Sequence, residues 1–219
     1  MSSNRAQNPF PLVLSAPSGG GKTTVTKLLM QRRTDLGYSV SCTTRAPRAG
    51  EVDGVDYHFL TEAQFIAHRE NGELAEWAVV HGRFYGTLKS AISTVLKSGK
   101  HLIMDIDVQG AAQMASAWPA AVLVFMLPPS VEVLLARLQA RNSEDPAALL
   151  TRLKSAHAEL QVVSRYHYVL VNDDLEATVA RVSSIIDAED VKRERISALD
   201  SQLAGLIGTL DSEITRHTS

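Results

Sequence analysis

Four apolar runs punctuate the chain: Leu12-Val13-Leu14, His101-Leu102-Ile103-Met104-Asp105, Ala121 through Leu127, and Tyr168-Val169-Leu170-Val171. The interior of none alternates with polar residues, so each is expected to be a strand buried on both faces of a parallel sheet. Between them, apolar positions recur at helical spacing. Val25, Leu28 and Leu29 form one such face, and Val131, Leu134, Leu135 and Leu138 a second. Leu149, Leu153, Ala156, Leu160 and Val163 form a third. Leu175, Val179, Val182 and Ile186 close the set, opened by the capping-type run Asn172-Asp173-Asp174. Strands alternating with helices predict right-handed crossovers and an α/β fold, a parallel sheet core flanked by helices.

The rhythm breaks near residues 40–90. Short alternating pieces appear there: Val55 to Leu60, Trp77 to Val80, and Arg83-Phe84-Tyr85, with one helix opened by the capping box Thr61-x-x-Gln64. This predicts a small mixed-β insert on the main sheet. The polar run Asn142-Ser143-Glu144-Asp145-Pro146 separates two helices and sits between arginines, as a mobile lid would. From Ala188 the composition turns charged and small. Ile196, Leu199, Leu203, Leu206 and Leu210 keep a 3–4 spacing, interrupted by Gly205 and Gly208. The simpler expectation is a terminal helix lying on its own domain. The alternative is a helix that meets a partner in a homo-oligomer.

Composition narrows the function. The 219 residues suffice for one α/β domain with an insert, and a net charge of −2 offers no global field to nucleic acid. Cys42 is the single cysteine, so an intramolecular disulfide is excluded and an intracellular setting is expected. No apolar run reaches the length of a membrane span, the first eleven residues lack a signal-peptide core, and zinc-like Cys/His spacing is absent. The expected location is the cytoplasm.

The densest chemistry follows the first strand. Ala16-Pro17-Ser18-Gly19-Gly20-Gly21-Lys22-Thr23 is a glycine-rich turn with Lys-Thr opening a helix. Such a turn aims successive N–H groups at phosphate oxygens, and the helix dipole adds to the attraction. Lys22 is placed to reach the β- and γ-phosphates, and the Thr23 hydroxyl to ligate Mg²⁺. Asp105, at the end of its apolar strand, suits the same ion. Asp107 reads equally well as a metal partner, a substrate contact or a helix cap. Arg137 and Arg141 are four apart on one helix, and Arg152 lies beyond the polar run; alone they would read as a solvated face with Glu132 and Glu144, but beside the cradle three guanidiniums are expected to meet a triphosphate. Ser41 to Arg48 packs Arg45, Arg48 and three hydroxyls into eight residues, with Tyr57 and Tyr85 as candidate donors. That is a candidate second phosphate site, separate from the first. Two facing phosphate sites argue for a transferase rather than a hydrolase.

In combination these residues resemble the guanylate kinase family. The motifs are Ser15-Ala16-Pro17-Ser18-Gly19-x-Gly21-Lys22-Thr23, Ser41-x-Thr43-Thr44-Arg45-x-Pro47-Arg48-x-Gly50-Glu51, Asp53-Gly54-x-Asp56-Tyr57-x-Phe59, Glu76, Tyr85-Gly86-Thr87, Asp105-Ile106-Asp107-x-Gln109-Gly110, Pro128-Pro129-Ser130 and Val171-Asn172-Asp173-Asp174. They run in order from about Leu12 to Ala188. Ala16 is a family variant of the first glycine.

The resemblance implies the P-loop nucleoside monophosphate kinase fold and Mg²⁺-dependent transfer of the ATP γ-phosphoryl group to GMP, and to dGMP. It implies core segments 10–41, 92–137 and 153–190, a GMP-binding insert at 42–91, a lid at 138–152 and a C-terminal extension at 191–219. ATP would be held by residues 16–24, namely Ala16, Pro17, Ser18, Gly19, Gly20, Gly21, Lys22, Thr23 and Thr24, with Arg137, Arg141 and Asn172. The GMP phosphate falls to Ser41, Arg45, Arg48, Tyr57 and Tyr85, beside Gly86. The guanine edge falls to Glu76, Thr87 and Asp107. Carboxylates suit the N1–H and N2–H₂ donors of guanine, and a hydroxyl suits O6; adenine reverses that pattern near C6. Lys22, Arg45, Arg137, Arg141 and Arg152 would act in transfer, and Thr23 with Asp105 would hold the metal. Asn142, where many relatives carry Gly, and Pro146 imply a stiffer lid, which bears on closing rate rather than activity. Two other readings are a non-catalytic interaction module, which usually lacks an intact cradle, and a kinase for another monophosphate, against which Glu76, Thr87 and Asp107 stand.

Overall fold

The computed structural model describes residues 8–17, 19–80, 82–139 and 146–218. Nine strands and eight α-helices follow one another among them: β1 (Pro11–Ser15), α1 (Lys22–Arg32), β2 (Leu36–Tyr38), β3 (Cys42–Thr43), β4 (His58–Phe59), α2 (Glu62–Glu70), β5 (Leu74–Val80), β6 (Arg83–Leu88), α3 (Lys89–Lys97), β7 (His101–Asp105), α4 (Val108–Ala117), β8 (Val122–Leu127), α5 (Val131–Gln139), α6 (Pro146–Gln161), β9 (Tyr168–Val171), α7 (Leu175–Asp190) and α8 (Leu199–Thr218).

Five strands form a wholly parallel sheet in the order β2-β7-β1-β8-β9. Alternation along each central strand feeds two cores. Leu12, Leu14, Ile103, Val122 and Val124 face α1 and α7, where Val25, Leu29, Val179, Val182 and Ile186 meet them. Val13, Leu102, Met104 and Leu123 face the other way, onto Ile92 of α3 and Ala111 and Met114 of α4. Both faces are dry, which is why these strands read as unbroken apolar runs.

The remaining strands form a mixed sheet in the order β4-β3-β6-β5. Its own small core is Cys42, Phe65 and Leu74, joined by Trp77, Phe84 and Leu88. Helix α2 caps it and starts as expected: Thr61 accepts from the Gln64 N–H at 3.2 Å while Gln64 accepts from the Thr61 N–H at 2.8 Å. Asp174 caps α7 by accepting from the Ala177 N–H at 2.7 Å. A third packing unit pairs α5 with α6 through Leu134, Leu138 and Ala156. Residues 140–145 of the segment expected to form a lid, including Arg141 and Asn142, lie outside the described residues.

The C-terminal expectation needs correcting. Helix α8 does not lie on its own domain: it buries none of its described residues. The preceding segment, by contrast, is tightly held. Glu189 is fully buried and accepts from Tyr168 Oη at 2.5 Å, Lys192 Nζ at 2.6 Å and Arg195 Nη2 at 3.1 Å. The Arg195 guanidinium stacks 4.1 Å from the Phe10 ring centroid and donates to the Ala120 carbonyl. No helix among the described residues is long and apolar enough to cross a membrane.

Burial pushes the Glu189 carboxyl upward, but the bonds from Lys192, Tyr168 and Arg195 outweigh it, so its pKa lies below the ordinary value. A depressed carboxylate stabilises the fold above its unfolded pKa, about 4.3, and that contribution is lost as pH falls through the lower native value. Glu189→Ala is expected to lower the unfolding free energy by about 3 kcal/mol at pH 7, because Arg195 loses its buried counter-charge. Denaturant titrations should show this gap closing below about pH 4.

Candidate active site

The site is assembled where β1 and β7 end. Their parallel register pairs Leu14 with Asp105, so both strands stop at one level of the sheet. The glycine turn leaves β1 there and α1 starts at Lys22, with Gly21 at φ 85° as its N-cap. Thr23, in the first turn of α1, donates its hydroxyl to Asp105 Oδ2 at 2.7 Å. Lys22 Nζ donates to the Ala16 carbonyl at 2.7 Å, so the ammonium leans over the turn. Gly19 to Thr24 line a cavity of about 240 Å³, with Glu159 of α6 on its rim. Ser18 lies outside the described residues.

Two other elements seat the turn. Arg137 of α5 packs onto Gly19; a Cβ at that glycine would stand 3.2 Å from Arg137 Cβ. One guanidinium nitrogen of Arg137, Nη1, is buried with no protein partner, as expected of a group that awaits an anion. Arg152 donates to the Leu138 carbonyl, which holds it at the end of α5. Asn172, expected near the adenine, donates from its amide to the Gly20 carbonyl at 2.8 Å and is buried. It clamps the back of the turn.

A second and larger cavity, about 430 Å³, opens beside the first. Its walls carry Thr23 and Asp105 together with Ser41, Tyr57, Glu76, Tyr85 and Asp107. Glu76, on β5, is buried, and accepts the Thr87 hydroxyl at 2.6 Å. Desolvation drives its pKa up; the Thr87 bond lowers it and the nearby Asp107 charge raises it, for a net upward shift. Asp107 caps α4 by accepting from the Gly110 N–H at 2.8 Å, so the helix-cap reading is correct for one of its oxygens. Gly110 is a packing requirement. A Cβ there would come within 3.0 Å of Glu76 Oε2. Thr87 is fully buried, so its hydroxyl stands behind Glu76, and Ser41, 3.3 Å from it, is the hydroxyl on the cavity wall.

The arginines of the second expected phosphate site are arranged unequally. Arg45 makes two bonds to Glu51, at 2.8 and 2.9 Å, and lies 5.5 Å from the Tyr57 ring centroid. The bond to Glu51, with a further one to Tyr85, holds its pKa above even the usual guanidinium value. The rings of Tyr57 and Tyr85 meet edge to face at 6.0 Å. Neither arginine lines the cavity; Arg48 is exposed, and its backbone N–H donates to Glu51.

Tyr38 and Gln113, which the sequence did not single out, and Glu51, read only as the end of a motif, shape the site. Tyr38, at the end of β2, donates to Asp105 Oδ1 at 3.2 Å, so both oxygens of that carboxylate are held. Glu51 orients Arg45. Gln113 of α4 pairs through its side-chain amide with both backbone groups of Trp77, at 2.8 and 3.0 Å, and so ties β5 to α4 next to Glu76. Only the nearness of Glu51 to Arg45 and Arg48 left a local trace.

A phosphate turn at the switch point of a parallel sheet, with a mixed-sheet insert facing it, defines a P-loop kinase fold. The comparisons specify which. The family model described as guanylate kinase matches residues 8–189. A guanylate kinase of Clostridium perfringens (strain SM101 / Type A) is 44% identical over 185 residues, covering 84% of this chain and 86% of the relative. One from Chelativorans sp. (strain BNC1) is 42% identical over 197 residues, 90% of each. The crystal structure of guanylate kinase from Anaplasma phagocytophilum superposes with a TM-score of 0.73 at 34% identity, covering 91% of this chain and 95% of that one. This chain belongs to the guanylate kinase family.

The Gln113 amide pair yields a direct test. Gln113→Leu keeps the bulk and removes both bonds to Trp77. It is expected to raise the Michaelis constant for the nucleotide seated at Glu76 by about 5- to 10-fold, a loss of about 1 kcal/mol, and to leave that for the nucleotide seated at Lys22 within about 2-fold. Steady-state kinetics with each nucleotide varied in turn would show the split.

Proposed function

We propose that this chain transfers the γ-phosphoryl group of ATP to GMP, giving ADP and GDP, and accepts dGMP as well. The observation that carries the reading is the 430 Å³ cavity whose wall runs from Thr23 and Asp105 to Glu76 and Tyr85. It adjoins the cradle cavity lined by Gly19 to Thr24, with Thr23 in both walls, so a phosphate cradle and paired carboxylates lie on either side of one residue, which fits two nucleotides meeting phosphate to phosphate.

The GMP phosphate supplies the nucleophilic oxygen, so the protein positions and neutralises. Residues 16–24 cradle the ATP phosphates. Lys22 swings from the Ala16 carbonyl onto the β- and γ-oxygens, and Arg137, with its unpartnered buried nitrogen, meets them from α5. Arg152 and Arg141 add charge from the lid side, at 138–152. Arg45, fixed by Glu51 and flanked by Tyr57 and Tyr85, faces the acceptor phosphate with Ser41. Arg48 joins them when the insert at 42–91 closes over GMP, and closure keeps water from the γ-phosphoryl group. Glu76 and Asp107 accept the guanine N1–H and N2–H₂, and Thr87 acts through Glu76 by holding its carboxylate. Adenine offers an acceptor at N1 and only a C–H at C2, and would leave both carboxylates unmatched. Asn172 serves ATP by fixing the turn.

The donor set fits Mg²⁺. Thr23 and Asp105 present hard oxygens 2.7 Å apart, and no group of three His, Cys, Asp or Glu among the described residues forms a metal cage. That is the pattern of an ion that takes most of its ligands from phosphates and water. Bound there, it neutralises charge on the β- and γ-phosphates. Tyr38 holds Asp105 in position for it. The lone Cys42 is buried with its thiol pushed up to about 11, so it is unreactive, and the single cysteine fits a cytoplasmic setting.

A coupled ADP-release assay over GMP, AMP, CMP, UMP and dTMP tests the proposal. Turnover is expected with GMP at least 100-fold above the others; equal rates with AMP would refute it. Lys22→Met should lower kcat by about 10²–10³-fold with an unchanged melting temperature. Near-normal turnover would sink the cradle assignment. Glu76→Gln should weaken GMP binding and leave ATP affinity similar. Because Glu76 titrates above the ordinary carboxylate value, wild-type affinity for guanosine should fall as pH drops toward that raised pKa. The Gln variant should show no such fall.

A further inference from the structure

Asp105 is gripped from two sides. It closes β7, whose neighbours in the sheet are β1 and β2. From the β1 side comes Thr23, whose hydroxyl donates to Oδ2 at 2.7 Å. From the β2 side comes Tyr38. Its backbone pairs with Ile103, two residues short of Asp105, and its long side chain spans the difference. The phenol then donates to Oδ1 at 3.2 Å. Each carboxylate oxygen therefore has its own donor, and all three side chains line the larger cavity.

The two bonds differ in what they leave open. A hydroxyl carries one donor and two acceptor lone pairs, so Thr23 can turn its hydrogen away and present an oxygen beside Oδ2. Both then face the same ion. The phenol of Tyr38 is protonated at neutral pH and remains a donor. It keeps Oδ1 occupied and stops the carboxylate from rotating.

The number of oxygens that a carboxylate can offer matters for the choice of ion. Mg²⁺ demands near-octahedral geometry and keeps several waters, whereas Ca²⁺ takes a flexible shell of about six to eight oxygens and readily accepts both oxygens of one carboxylate. Among the described residues no group of three His, Cys, Asp or Glu stands ready to complete a larger shell. Withholding one oxygen of Asp105 therefore costs Ca²⁺ a large part of what the protein could give it.

We propose that Tyr38 is a positioning residue that sets the ion preference of this site: by holding Oδ1 it limits Asp105 to one free oxygen, which suits Mg²⁺ and handicaps Ca²⁺. The inference rests on the assignment of Thr23 and Asp105 to the metal, and adds how the site tells one divalent cation from another. Tyr38 is half exposed and belongs to none of the three apolar clusters around the two sheets, so loss of its hydroxyl alone leaves the packing in place.

Calorimetry of the full chain with ATP, in saturating Mg²⁺ or saturating Ca²⁺ and without an acceptor, tests this by affinity rather than turnover. Wild type is expected to bind ATP about 10-fold more tightly with Mg²⁺ than with Ca²⁺. Tyr38→Phe should shrink that ratio to about 2-fold, chiefly through tighter binding with Ca²⁺, at an unchanged melting temperature. In an Asp105→Asn background, adding Tyr38→Phe should leave the ratio where it is, because Tyr38 acts through that carboxylate. A merely structural tyrosine would move both affinities together and would add its effect to that of Asp105→Asn. Equal wild-type binding with the two ions, a ratio that Tyr38→Phe leaves intact, or a further change on top of Asp105→Asn would each overturn the inference and spare the metal assignment. ATP affinity that is indifferent to removal of all divalent ions would overturn both.

Discussion

The site rests on the register of β1 against β7. Pairing Leu14 with Asp105 brings a glycine turn and an acidic strand end to one level of the sheet. Thr23 reaches Asp105 only because of that alignment. A slip by one residue would turn Asp105 into one of the two apolar cores. The register is secured from both faces, since Val13 and Leu14, and Ile103 and Met104, feed different cores. Packing far from any substrate therefore sets where the chemistry sits.

From the end of β7 the dependence spreads outward along α4. Asp107 caps the helix, Gly110 lets the Glu76 carboxylate lie against its first turn, and Gln113, one turn further on, grips Trp77. Three residues at spacing three therefore tie the second sheet to the first. They also explain the raised pKa of Glu76, which is dry because it is pressed onto a helix and lies near Asp107. The donor end has a matching brace in Asn172 and Arg137, which seat the glycine turn from β9 and α5.

What the sequence made legible follows the physics of each element. The edge strand β9 was legible as an apolar run, but it is not buried on both faces as expected, since Val169 and Val171 are exposed; β1, β7 and β8 are buried on both faces and announce themselves. Strand β2 does not, because it is three residues long and Gly37 lies against Val95, where a Cβ would come within 2.5 Å. Strands β3 and β4 have two residues each, below the length at which alternation is visible. Helix α4 is rich in alanine and glycine because Glu76 and β1 crowd it, and this erases its apolar period. The cradle, Asp105, Glu76 and the Tyr57–Tyr85 pair were readable as residue types at family spacing. Tyr38 and Gln113 were not, since their partners lie 67 and 36 residues away. The period of the last helix was readable too, but a periodic stripe does not say what covers it, and α8 proves to cover nothing of its own domain.

The central claim is that two nucleotides occupy adjoining cavities and meet beside Asp105 and Thr23, which lines both. Calorimetry with a single ligand, adenosine and guanosine joined through a chain of phosphates, addresses it most directly in the presence of Mg²⁺. The account predicts one ligand per chain, bound more tightly than either mononucleotide, and displacing both ATP and GMP. Two ligands per chain, or a ligand that displaces ATP while GMP still binds, would contradict it.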